Sequence, residues 1–418
     1  MREPARRSRR TFDALHIRDY RWYWLGTLAS FFGMQMQMLA QSWLAYELTH
    51  SPFKLGLVSA AWGLPMLLFS LLSGVIIDRV QKRSLLMACQ ACMGVITLAL
   101  AILITTGFIQ YWHLLAASLL VGIAFSFNLP GRLAIVPEIV PRDNLYNAIA
   151  LSSGAANLAR VAGPALAGVL IGVSGTAGAY YCALVCYGVA SASLFMLPAT
   201  SKVSFRPGRS IMQDLMEGLQ YLRDHSIILT VLAMEFVFAV FGMPYQSLMP
   251  VFAELLEVKA LGYGFLMAMV GIGALFGSLV IASLGNFRRK GRLLLLAGIT
   301  FGIMLVIFAN TPSLGTALNM GSSTFYLALF LLVLVGITST GYTSTSVTVI
   351  QIYISDEVRG RVISVYGTVI GLFPVGVLLT GAIAETQGAP FAVTVGGVLL
   401  AGFMLIMVFA SHRIRHLE

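Results

Sequence analysis

Between two long apolar runs, 54 to 77 and 84 to 106, stands the segment Gly74-Val75-Ile76-Ile77-Asp78-Arg79-Val80-Gln81-Lys82-Arg83. Each flanking run is long enough to cross the hydrocarbon core of a bilayer, which takes roughly 20 residues of helix. The charged stretch between them reads as a tight turn at one membrane face. Gly74 permits close helix approach, Asp78 sits at a helix end, and Arg79, Lys82 and Arg83 anchor the turn at the headgroups.

The same alternation of apolar run and short polar connection fills the rest of the chain. Spans are predicted near 22–46, 54–77, 84–106, 111–135, 146–172, 176–197, 227–252, 262–285, 293–310, 324–350, 361–385 and 390–410. Of the 418 residues, 58% are hydrophobic and only 11% charged, whereas soluble domains carry about 25% charged residues. A water-soluble surface cannot be made from that supply, so a soluble enzyme is excluded. The first run, Trp22 to Tyr46, is too long for a signal-peptide core and lacks a small-residue cleavage site, so it is expected to be retained.

The expected fold is an all-α membrane protein of twelve transmembrane helices in two pseudo-symmetric six-helix bundles. The longest polar stretch, Pro198 to Ser226, separates an N-terminal bundle, 1–197, from a C-terminal bundle, 227–418. Within this linker, 198–226, Ser210 and Gln213 have capping-box spacing, and Ile211, Met212, Leu215, Leu219 and Leu222 recur at helical intervals. A short amphipathic helix on the cytoplasmic face is expected there.

The net charge of +10 would suit a nucleic-acid partner, but its distribution argues for topology instead. With both termini cytoplasmic, nearly all of the 27 Lys and Arg fall on that side, Arg132 being counted with the connection after the fourth span. The outer connections hold only Lys54 and Lys259, which is a strong positive-inside bias. No nucleic-acid partner is expected. The cysteines, Cys89, Cys92, Cys182 and Cys186, lie inside apolar runs and read as packing residues. The six histidines sit at termini or span ends, so no metal site is expected. No phosphate-binding Gly-rich loop with Lys-Ser/Thr is present, so ATP hydrolysis is excluded and no cofactor is expected.

The segment from Gly74 to Arg83 resembles the loop signature of the major facilitator superfamily, Gly-x-x-x-Asp-Arg-x-Gly-Arg-Lys, with Gln81 in place of a glycine. The equivalent connection in the second half, Ser283 to Arg292, keeps the basic cluster and lacks the Asp. The fifth span carries Ala155, Ala159, Gly163 and Ala167 at intervals of four, then Gly168. With Gly163-Pro164 it resembles the antiporter signature of drug-exporting members, Ala150, Ala159 and Ala167 replacing three glycines. Close helix packing alone also accounts for this helix-packing set of Gly74, Gly163, Pro164 and Gly168. Asn128 to Arg132, Pro137-Glu138 to Pro141, Ser355 to Arg361, and the opening from Thr11 to Gly26 look like the branch that contains enterobactin and macrolide exporters. The resemblance implies two bundles around a central cavity that opens alternately to each side. It also implies a cytoplasmic charge network of Asp78, Arg79, Glu138, Arg359 and Arg361 that ties the halves together when the cavity faces outward. As exposed loop charges these residues would instead contribute little beyond topology.

Ionisable groups inside a bilayer are costly and usually face a cavity or a partner. Glu235 and Arg160 are the two that the sequence places clearly within spans. Glu235 shares a helical face with Ala239, Gly242 and Gln246. A carboxyl there, where water is scarce, can load and release a proton as the cavity alternates, and a structural Glu bonded to a neighbouring helix is the alternative. Arg160 shares a face with Ser153, Asn157 and Pro164 and requires an acidic or carbonyl partner, for which Glu235 or Glu47 are candidates. Gln37, Gln41, Asn128, Asn157 and Gln246 are the candidate cavity residues. Met34, Met36 and Met38 would suit a surface that repacks around varied apolar ligands, or simply face lipid.

The expected function is a proton-coupled exporter of an amphipathic small molecule, a drug or siderophore, acting as a monomer in the cytoplasmic membrane. An uptake symporter of the same fold and a non-transporting membrane sensor or scaffold are the alternatives. The partners expected are the small-molecule substrate, protons and the lipid bilayer.

Overall fold

The computed structural model describes residues 12–198, 226–284, 289–354 and 359–411; the side chains of 70–75, 78, 226, 359–361 and 364 lie outside that description. The expected linker helix therefore falls outside the described residues, as do the side chains of Asp78, Arg359 and Arg361.

Among the described residues, ten helical segments are long and apolar enough to cross a membrane. One of them, Arg142–Phe195, has 54 residues and reverses at Gly175, whose φ of 73° and ψ of 177° lie where a side chain is strained. It therefore makes two crossings, α5 over 142–174 and α6 over 176–195. The first helix, α1 (Arg18–Thr49), is not one of those ten, and its 32 residues are long enough to cross. With α2 (Pro52–Arg79), α3 (Lys82–Thr105) and α4 (Tyr111–Ile139), the first half has six. The second half supplies α7 (Ile227–Leu255), α8 (Ala260–Leu284), α9 (Lys290–Ala309), α10 (Ser323–Tyr353), α11 (Val365–Gln387) and α12 (Ala389–Ala410). No strand occurs among the described residues. A helix closes its own backbone hydrogen bonds, which suits a lipid environment without water.

Large apolar side chains such as Val95, Leu166, Val185, Leu296, Phe330 and Ile406 lie on the outside of these helices. Exposed apolar surface on that scale is the face of a protein solvated by lipid.

The two halves repeat one another. Phe32-Gly33-Met34 in α1 recurs as Phe241-Gly242-Met243 in α7, and Val121-Gly122-Ile123 in α4 recurs as Val335-Gly336-Ile337 in α10. The repeated glycines do the same job in each half. A Cβ at Gly122 would fall 2.4 Å from the Trp62 carbonyl oxygen of α2, and one at Gly336 would fall 2.3 Å from the Val270 carbonyl oxygen of α8. Gly33 packs on α6, and Gly242 on α12 and α9.

The turn between α2 and α3 explains the tolerance of Gln81. Its φ of −65° is ordinary backbone, so no glycine is required there, and its side chain accepts a bond from Ser84. Arg83 then reaches across to donate to the carbonyls of Leu194, at 2.9 Å, and Phe195, at 3.0 Å. Both carbonyls lie in the last turn of α6, and that of Leu194 also accepts from the Leu197 N–H just past the helix.

The halves meet along two seams. In one, α5 crosses α8 so closely that a Cβ at Gly264 would fall 2.6 Å from the Pro164 carbonyl oxygen and one at Gly168 would fall 2.9 Å from the Gly264 Cα. In the other, α2 crosses α11, with Gly56 against Val377 and Gly63 against Pro374.

Candidate functional site

The helix α7 is broken at its centre. A π-helical stretch, Phe238–Gly242, runs into a 3-10 stretch, Met243–Leu248, before α-helix resumes. Glycines of the neighbouring helices cover the displaced carbonyls, since a Cβ at Gly376 of α11 would lie 2.3 Å from the Val240 oxygen and one at Gly396 of α12 would lie 2.5 Å from that of Phe241. Irregular backbone at such depth is tolerated where protein encloses it, and π-turns often occur at functional sites.

Glu235 lies one turn before this break and is 1% exposed. Its Oε1 has no hydrogen-bond partner, and neither do the buried Tyr342 hydroxyl and Ser346 Oγ of α10. Tyr342 and Tyr366 border the carboxyl, and the Tyr342 ring stacks on Phe238 with centroids 4.5 Å apart. The second half thus holds an ionisable group and two hydroxyls in an apolar enclosure, with Ser346 beside the carboxyl and one carboxyl oxygen left without a partner.

The first half holds the opposite charge. Arg132, in the interior of α4, is 4% exposed. Its Nε donates to Asn128 Oδ1 at 2.8 Å and its Nη1 to Thr27 Oγ1 of α1 at 2.7 Å. Phe31 lies 5.8 Å under the guanidinium, and Tyr23 donates to the Arg132 carbonyl oxygen. This corrects the placement of Arg132 in the connection after the fourth span. Its spacing of one helical turn from Asn128 is the signal that would have moved it inside.

The distal end, where α1 runs into α2, is closed by hydrogen bonds between the halves. Tyr46 of α1 bonds the carboxylate of Glu254 in α7. Glu385 of α11 accepts from Ser51 Oγ at 2.8 Å and from the Phe53 backbone N–H at 3.1 Å. At the opposite, proximal end Lys82 pairs with Glu138, and both belong to the first half.

The other candidate residues distribute as follows. Gln37 and Gln41 are enclosed in the first half rather than lining open space, a correction to the cavity expectation. Gln37 Oε1 accepts from Tyr187 at 2.8 Å and Thr97 at 3.2 Å, and Gln41 donates to Leu114 O and Ser118. Asn128 is likewise enclosed, beside Arg132. Gln246 is half-buried in the 3-10 stretch of α7, and Asn157 is half-buried on α5. Arg160 has an exposed side chain and, among the described residues, no ion pair with Glu235 or Glu47; its carbonyl oxygen sits against Gly271 of α8. Gly163 packs on Gln35 of α1, so the antiporter-like stretch of α5 faces both its own half and the other. Arg79 lies at the proximal end of α2.

Two repeated six-helix halves, meeting at one end over buried ionisable groups, define a secondary transporter of alternating-access type. A model for a family described as transmembrane secretion effector matches residues 10–418, and the chain belongs to this family of the major facilitator superfamily. It is 24% identical over 401 residues to the staphyloferrin A transporter of Staphylococcus aureus, covering 94% of this chain and 97% of that one. It is 25% identical to the multidrug efflux pump Tap of Mycolicibacterium fortuitum, over 92% and 94% of the two chains. With the enterobactin exporter EntS of Escherichia coli O9:H4 it shares 24% identity, over 93% and 89%. Among solved structures, a bacterial homologue of the iron transporter ferroportin in an inward-facing state matches with a TM-score of 0.73 at 14% identity, over 95% and 99%. The nucleoside transporter NupG matches with a TM-score of 0.71 at 12% identity, over 96% and 100%. The protein is a multi-pass membrane transporter, not an enzyme.

Proposed function

We propose that the protein exports amphipathic small molecules across a bacterial cytoplasmic membrane in exchange for protons, one chain forming the whole transporter. Three of the relatives are a siderophore transporter, a multidrug efflux pump and a siderophore exporter, which supports export of drug-like or siderophore-like cargo. Arg79, Lys82, Arg83, Arg142, Arg289, Lys290 and Arg292 stand at the proximal end, and Lys54 and Lys259 at the distal end. This asymmetry supports a cytoplasmic proximal end with both termini there. Closure of the distal end supports reading the conformation as one that receives cargo from the cytoplasm.

The observation that carries proton coupling is the buried carboxyl of Glu235 beside the break in α7, one oxygen of which has no hydrogen-bond partner. A carboxylate with an unsatisfied oxygen in an apolar enclosure is costly, and a proton is the smallest ion that neutralises it. As the halves rock, water reaches Glu235 from alternate sides, and the proton is taken up on one and released on the other.

The test is proton flux in proteoliposomes, read with a pH-sensitive dye, across a panel of macrolides and siderophores. Substrate-driven proton movement in the parent that is lost in Glu235→Gln is the expected result. Equal flux in both removes Glu235 from the coupling path, and transport without proton movement overturns antiport.

A further inference from the structure

The two buried ionisable groups occupy related places in the repeat. Measured from Gly122 in α4 and Gly336 in α10, Asn128 corresponds to Tyr342 and Arg132 to Ser346. Measured from Gly33 and Gly242, Glu235 corresponds to Gly26, the neighbour of Thr27. In the first half, therefore, the fourth helix sends a guanidinium toward the first. In the second, the first helix of the half sends a carboxyl toward the fourth.

The unspent groups in the first half are of one kind. Arginine can only donate, so the Asn128 atom bonded to Arg132 Nε must be the carbonyl oxygen, and the atom left over is the amide Nδ2. Arg132 Nη2 and Asn128 Nδ2 are both buried and both without a partner. Two adjoining donors, one on a permanent cation, are complementary to an oxyanion that takes a hydrogen bond on each oxygen. The one described ion pair of the chain is Lys82 with Glu138, so no described carboxylate fills this role. The seam between α1 and α4, which Arg132 bridges, is thin, because α1 packs chiefly on α5 and α6 while α4 packs on α2 and α3.

We infer that Arg132 and Asn128 form an anion-recognition site for a carboxylate carried by the transported molecule, reached through the seam between α1 and α4. Cargo with an acidic group on an apolar body is then preferred over its neutral counterpart. The inference rests on the transporter reading but is independent of transport direction and of the proton.

The experiment is thermal unfolding of the purified full-length chain in lipid-free detergent at matched ionic strength. The probes are 1-naphthoate and the uncharged 1-naphthalenemethanol. The parent is expected to respond to naphthoate at a concentration at least tenfold lower than to the alcohol. Arg132→Gln abolishes that preference, and Arg132→Lys restores part of it. Should Arg132→Gln fail to fold, Asn128→Asp decides the matter, since it places a carboxylate against the guanidinium. That variant is expected to fold as well as the parent and to ignore naphthoate. Equal responses to acid and alcohol in the parent, or an unchanged preference in Arg132→Gln or Asn128→Asp, overturn the site. If phosphatidylglycerol added to the detergent stabilises the parent and not Arg132→Gln, while naphthoate stabilises neither, the donors belong to a lipid headgroup and the site is likewise overturned. Glu235→Gln retains the naphthoate preference, so failure here is separable from failure of proton coupling.

Discussion

The hydroxyl of Tyr46 in the first half donates to the carboxylate of Glu254 in the second, across a separation of 208 residues in sequence. Together with Glu385, which holds Ser51 and the Phe53 N–H, this contact sets how firmly the distal end stays shut. Hydrogen bonds to a charged group contribute roughly 1.5–3 kcal/mol. Tyr46→Phe combined with Glu385→Gln is expected to shift the balance toward distal opening by about tenfold or more, a factor that corresponds to about 1.4 kcal/mol. Distances between spin labels on the distal ends of α1 and α8 would measure it, and an unchanged distribution would remove these residues from the closure.

At the α5–α8 seam, Gly264 leaves no room for a side chain against Pro164. Gly264→Val is expected to force these helices apart, at a cost of about 1–3 kcal/mol if the seam yields as an overpacked core does. A lowered unfolding temperature and a distal end open to a membrane-impermeant thiol reagent, on an introduced cysteine, are the readouts. A Cβ at Gly154 would meet nothing within 4 Å, so Gly154→Ala serves as the neutral control.

Arg83 ties α3 to the end of α6 through two backbone carbonyls. Arg83→Ala is expected to destabilise the first half by about 1 kcal/mol. Lysine, a compact point charge, cannot reproduce the fork, so Arg83→Lys recovers less than half of the loss in a denaturation series.

Gln37 is a packing residue of the first half. Gln37→Leu strands the Tyr187 hydroxyl in the core, with an expected cost of about 1–3 kcal/mol. The ranking of transported compounds should be unchanged, because the Tyr187 and Thr97 hydroxyls that Gln37 Oε1 holds belong to the interior of the first half. A changed ranking at unchanged stability would return Gln37 to the cargo surface.

The membrane class, the all-helical fold and the family were legible in the sequence because they depend on composition, run length and short turn motifs. Gly163, Pro164 and Gly168 stood out as small residues at helical spacing, since only small residues let backbones approach. Their reach across to α8 was not legible, because spacing along one helix does not name its neighbour. Glu235 stood out as an acid in an apolar run. Arg132 did not, since a basic residue near a span end looks the same whether its long side chain runs to the headgroups or folds back on Asn128 and Thr27. Gln37 and Gln41 were misplaced for a related reason: polarity within a span marks a face turned from lipid, but a bundle interior and a cavity wall are both such faces.

At the distal rim both carboxylates that bridge the halves, Glu254 and Glu385, belong to the second half, and the first supplies only neutral donors. A chain made of two repeats carries a hazard of its own, that a half pairs with the same half of another copy. Here two first halves would meet with neither bridging carboxylate to take these donors, and two second halves would bring carboxylate against carboxylate. The uneven division of donors and acceptors makes the correct mate the complementary one, so that each half recognises the other before the transporter has anything to carry.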